Sequence, residues 1–186
     1  MSSHTPAEAT ISAANPFTEA DVAAILREHG WLEAGREIDA EPALKNWLAR
    51  AAELLGPHAA DRHALAGLLS LIFSYDAAAS LQDAANQAVL AREGARDVIR
   101  ELANRILEGG DVDSERFKEI IDGMKAAVSY RSRAMFHPIR VALAGRSGEG
   151  ELDRVVLLLD AATRVRFAAP VKGTRQRMLE FCAALD

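Results

Sequence analysis

The segment Pro138-Ile139-Arg140-Val141-Ala142-Leu143-Ala144-Gly145 constrains the fold more than any other in the chain. A proline, an apolar run with one arginine inside it, and a closing glycine predict a short buried helix. Pro138 suits the first helical position, where its missing N–H would have no partner anyway, and Gly145 suits the left-handed residue just past the end. Ile139, Val141, Ala142 and Leu143 then face a core. Arg140, carried among them, needs a defined partner or an exit to solvent.

The rest of the chain repeats the helical period. Residues 1–16 are Ala/Ser/Thr/Pro-rich without periodicity and read as a disordered tail. Thr18, with Glu19 and Asp21 behind it, caps a first helix whose apolar face is Val22, Ile25 and Leu26 and which Gly30 stops. A second helix runs from Pro42 to Leu55 and ends at Gly56-Pro57; a third covers about Ala59 to Phe73. Asp76 caps a fourth, reaching about Leu90, and Glu93 to Leu107 forms a fifth. Gly109-Gly110-Asp111 is the plainest break, after which Asp113-Ser114 opens a sixth. Beyond the Pro138 helix, Ser147-Gly148-Glu149-Gly150 is a turn, and Glu151–Leu159 and Gln176–Leu185 are the last two helices. The expected fold is all-α, with two packed helical subdomains at 17–110 and 111–186 that meet between Gly109 and Ser129.

Charge divides the chain as well. The net charge of −5 hides 11 Lys/Arg against 21 Asp/Glu in residues 1–123, and 11 against 6 in residues 124–186. An acidic body with a basic last third orients that third toward a polyanion. No run of 18 apolar residues exists, so no membrane partner is expected. The start Met1-Ser2-Ser3-His4-Thr5-Pro6 lacks a basic and apolar leader, and a single cysteine, Cys182, fits a reducing compartment; both point to the cytoplasm.

Candidate binding residues lie in that last third. Arg131, Arg133, His137 and Arg146 flank Arg140 on loop-like sequence, with Tyr130 and Phe136 interleaved, a mixture suited to phosphate contact and base stacking. Arg164, Arg166, Lys172, Arg175 and Arg177 form a second basic group around Pro170 and Gly173. A solvated basic loop explains either group equally well. No catalytic residue, metal or cofactor is expected. His58 and His63 stand about 140° apart around a helix, Cys182 has apolar neighbours and no histidine close in sequence, and the acids show no convergent pair.

The Pro138 segment resembles the C-terminal anticodon-binding region of glutamyl-tRNA synthetases, where Pro-(Leu/Ile)-Arg-Val-Ala-Leu-Thr-Gly recurs. The resemblance extends upstream through Asp61-Arg62-His63-Ala64-Leu65, then Leu71-Ile72-Phe73-Ser74-Tyr75-Asp76, then Ser114-Glu115-Arg116-Phe117, in the same order and spacing over roughly residues 40–185. There are departures: Ala64 and Ala144 stand where threonine is usual, and Gly150 stands where proline is usual. The link before the Pro138 helix is Ser/Arg-rich rather than Gly/Lys-rich, and residues 164–173 look additional.

The resemblance implies an all-α anticodon-binding bundle and a tRNA or other structured RNA as partner, with a synthetase or another protein as a further partner. It implies that Arg62 reads the third anticodon base, a task suited to a planar guanidinium, and that Arg140 either anchors its helix pair or faces RNA, the structural role being favoured. The two signature motifs of class I synthetase catalysis and any strand–glycine-loop–helix unit are missing, so the chain is expected not to charge tRNA by itself. Two alternatives stay open. One is a helical interaction or regulatory module that has lost RNA binding. The other is the anticodon-binding part of a glutamate-tRNA ligase whose catalytic domain is separate.

Overall fold

A computed structural model describes residues 15–186, which contain ten α-helices and no strand. Most of the expected tail, residues 1–14, lies outside the described residues. Asn15 is described: its side-chain amide donates to Ala52 O at 2.7 Å.

Helix starts follow short side chains that accept from free backbone N–H groups. Helix α1 (Glu19–Glu28) carries a capping box in which Thr18 and Asp21 each accept from the other's backbone N–H. Helix α2 (Pro42–Leu55) has its proline in the first turn and runs on into a 3-10 turn, Gly56–His58, so Gly56-Pro57 changes the helix type before the break comes. Helix α3 (Arg62–Phe73) starts later than expected because the Asp61 side chain caps it through Ala64 N. The expected fourth helix is two, α4 (Ala77–Gln82) and α5 (Ala84–Leu90). Asp83, extended between them, turns its carboxylate onto Asn86 N and starts the chain again. Helix α6 (Ala95–Glu108) and helix α7 (Ser114–Ala127, capped by Asp113) flank the Gly109-Gly110 loop.

Helix α8 (Arg133–Ala144) corrects the reading of Pro138, which lies inside the helix rather than at its first position. The helix has already begun at Arg133, and Pro138 leaves the Ala134 carbonyl without its usual i+4 donor. The end is as expected: Gly145 sits at φ +79°, where a side chain would be strained. Helices α9 (Glu151–Ala162) and α10 (Thr174–Leu185) complete the chain.

Buried apolar side chains gather in two clusters. One contains α1, α2 and α3 with Leu152, Val155, Leu158 and Leu159 of α9. The other contains Tyr75, Val98, Leu102, Ile120, Met124, Ile139, Leu143 and Phe181 with Val156 of α9. Neighbouring residues of α9 therefore serve different clusters.

Three buried polar side chains tie distant backbone together. Asp160 accepts from Val112 N at 2.6 Å, Thr174 N at 2.7 Å and the Thr174 hydroxyl at 2.8 Å. Asn86 donates to Ser80 O and Gly145 O and accepts from Ser147 N. Arg177 is the third. Its guanidinium donates to Ile72 O, Leu143 O and Lys172 O, each at 2.8 Å, and lies 4.4 Å from the Tyr75 ring centre.

Candidate nucleic-acid interface

An open groove of about 480 Å3 runs between α7, α8 and α9. Helical spacing builds it: Phe117 and Ile121, one turn apart on α7, face Phe136 of α8 and Leu157 of α9. Lys118 and Lys125, two turns apart on the same helix, line the rim with Arg154 of α9 and His58. Asp122 lies 3.7 Å from Lys125. The other groove carboxylate, Asp153, is held from behind by Arg140 Nε and Nη2, each at 2.9 Å. Among the described residues Lys118 and Arg154 enter no ion pair. The groove thus offers aromatic surface and unneutralised positive charge together.

The residues nominated from sequence fall into three kinds of place. Arg62 opens α3 on the surface and pairs with Glu28 at 2.6 Å. Arg146 and Arg166 are exposed and enter no ion pair among the described residues. Arg133 and His137 gather with Arg140 around Glu149, which lies 3.2 Å from Arg133 and 3.7 Å from each of the other two.

A second kind is exposed, or half-buried in the case of Lys172, but engaged at home. Arg131 donates to Lys125 O, Val128 O and Tyr130 O, closing the end of α7 with a positive charge. Arg175 does the same at Leu107 O near the end of α6. Arg164 pairs with Asp111, and Lys172 pairs with Glu180 at 2.7 Å.

Arg177 and Arg140 are the third kind and correct their nomination as RNA contacts. Arg177 is fully buried, and desolvation lowers its pKa to about 10 while three carbonyls still hold the cation. Arg140 is 6% exposed and spends its donors on Asp153 and Gly148 O, with its guanidinium over the Phe136 ring. It opposes desolvation with a bidentate carboxylate, and the net effect is a raised pKa. Neither presents a guanidinium to a ligand. The second basic group is therefore no free patch: of its five members only Arg166 is exposed without a carboxylate or carbonyl partner among the described residues.

Sequence reasoning passed over Lys118, Lys125 and Arg154 because they lie within acidic or apolar helices rather than in a basic run. The signal was present in the spacing, since residues 117, 118, 121 and 125 share one face of α7.

A family model described as an anticodon binding domain matches residues 10–163, which include all of the groove. The chain belongs to the anticodon-binding domain family. Among curated proteins and among solved structures no match is found. No helix among the described residues is long and apolar enough to cross a membrane.

Proposed function

We propose that this anticodon-binding domain binds tRNA through the α7–α8–α9 groove, acts in the cytoplasm and has no aminoacylation activity of its own. The observation that carries the reading is the groove itself. Phe117 and Phe136 supply faces on which an unstacked base can rest, while Lys118 and Arg154 stand free at the rim for phosphates. The resemblance to glutamyl-tRNA synthetases supports a glutamate-type tRNA and a role for Arg62, on the exposed start of α3, in reading the third anticodon base.

A salt-titrated binding assay against total tRNA tests this. Lys118→Ala with Arg154→Ala should weaken binding to every tRNA and flatten the slope of log affinity against log salt by about 1.5, two contacts at roughly 0.7–0.9 each. Arg62→Ala should leave that slope nearly unchanged and reduce discrimination at the third anticodon base. Absence of tRNA binding at about 50 mM salt overturns the reading.

A second reading is favoured by the number of basic side chains already neutralised within the chain. Arg131, Arg164, Lys172 and Arg175 all have partners of their own. A protein-interaction module, including pairing with a separate synthetase catalytic part, fits such a surface, and capture of protein rather than tRNA from lysate distinguishes it.

A further inference from the structure

The cations around Glu149 form an arrangement that the groove does not explain. Arg133 opens α8, and His137 and Arg140 follow it at helical spacing on one face. Arg92, just past the end of α5, brings its guanidinium to 3.5 Å from His137 Nδ1. Arg133, His137 and Arg140 thus converge from one helix face on a single point, which among the described residues one carboxylate occupies, while Arg92 backs the far nitrogen of the His137 ring.

That carboxylate fits loosely. Charge-assisted bonds between nitrogen and carboxylate settle at about 2.7–2.9 Å, whereas Glu149 stands 3.2 Å from Arg133 and 3.7 Å from both His137 and Arg140. His137 Nε2 is buried, points toward Glu149 and makes no hydrogen bond among the described residues. The contrast with Asp153 is direct, since Asp153 meets Arg140 with both oxygens at 2.9 Å. Glu149 is itself exposed and sits between Gly148 and Gly150, so its carboxylate can leave without disturbing a helix.

We infer that Arg133 and His137, the latter backed by Arg92, form a phosphate-binding site in which Glu149 stands in for the ligand, and that an RNA backbone phosphate displaces it. A tetrahedral phosphoryl group is wider than a carboxylate and offers more oxygens. It can reach the Arg133 guanidinium and His137 Nε2 together, while Arg92 holds the ring from its Nδ1 side. Arg140 stays with Asp153 and keeps the floor in place. Phe136 and Gly150, the neighbours of His137 and Glu149 in sequence, line the α7–α8–α9 groove, so a strand whose base rests there has its phosphate close to this cluster. The inference rests on the RNA-binding reading for the source of the phosphate but not for the site. Glu149 then lowers affinity for every polyanion and selects for one that can expel it.

The test uses the full chain and compares wild type, Glu149→Gln and Glu53→Gln, the last removing one negative charge from α2. Circular dichroism establishes folding, and Glu149→Ala replaces Glu149→Gln if the amide fails to fold. Binding to total tRNA should tighten about threefold or more in Glu149→Gln, the scale of an exposed charge contact, and the salt slope should steepen by about 0.7–0.9. Glu53→Gln should change neither by as much. In a second arm, inorganic phosphate at constant ionic strength should shift the His137 ring resonances saturably in Glu149→Gln, and adding Arg133→Ala should abolish the shift.

If His137 does not respond to phosphate in Glu149→Gln, the site is overturned. If Glu149→Gln binds tRNA no tighter than Glu53→Gln does, the role toward RNA is overturned. If no form binds tRNA while phosphate still moves His137, the site stands and the RNA-binding reading falls.

Discussion

Around Trp47, the first cluster closes by ring against ring. Phe167 meets Trp47 and Phe73 edge-on with centroids 5.0 Å apart, and Trp31 stacks on Phe73 at 4.9 Å. Around Arg177, the second cluster is mostly aliphatic and has no ring packed on ring among the described residues, and one guanidinium joins the ends of α3 and α8 to the start of α10. Apolar contact adds up over many weak pairs and tolerates repacking. A buried cation on three carbonyls does not, because removing it leaves three acceptors in a dry interior. One region should therefore yield gradually to substitution and the other abruptly.

The largest expected effect is at Arg177. Arg177→Leu should cost about 3–5 kcal/mol in urea unfolding, and Arg177→Lys should recover little, because an ammonium cannot span three diverging carbonyls. A loss under about 1 kcal/mol would end the distinction between the regions.

Next come Leu143→Ala and Leu48→Ala, one fully buried leucine in each cluster, each costing about 2–5 kcal/mol. These sharpen the comparison by asking whether the clusters unfold together. Both tryptophans belong to the first cluster. For Leu143→Ala the fluorescence and far-ultraviolet dichroism transitions should coincide, since α9 packs into both. Separate transitions would make each cluster its own cooperative unit.

The smallest effect is at the first helix cap. Thr18→Ala should cost about 1 kcal/mol. Asp21 has its pKa lowered, first by the Thr18 backbone N–H and then by the Thr18 hydroxyl. Its stabilisation is present above the unfolded carboxylate pKa and is lost as pH falls through the lower folded value. Thr18→Ala removes only the hydroxyl. The Asp21 pKa should therefore rise part-way toward its ordinary value, and the acid-side loss of stability should shrink, both readable by carboxyl NMR titration.

The helices were legible wherever period and cap agreed, as at Thr18, Pro42 and Asp113. Their boundaries were misread where a local side chain overrode the period. Asp83 divides one apolar run into two helices, and a helix that starts at Arg133 leaves Pro138 in its interior. Of the binding surface, the charge split pointed to the basic third. It could not separate Arg131, closing a helix end, from Arg133, turned toward Glu149. Burial was the least legible property of all. Arg177 and Arg175 look alike in sequence two residues apart, yet one is inside the molecule and the other on its surface.

The placement of α9 also bears on how the chain is made. Trp47 Nε1 donates to Leu158 O at 3.1 Å across 111 positions of sequence. Helices α1–α3 leave the ribosome first, yet the surface that covers them comes only with residues 151–162. At ordinary elongation speed that is a wait of roughly 5–20 s, far longer than helices need to form. During it, the apolar faces of α2 and α3 that later receive α9 stay open to solvent and to other chains. The nascent protein has helices early and a closed interior late, so the interval between them is when it most needs protection.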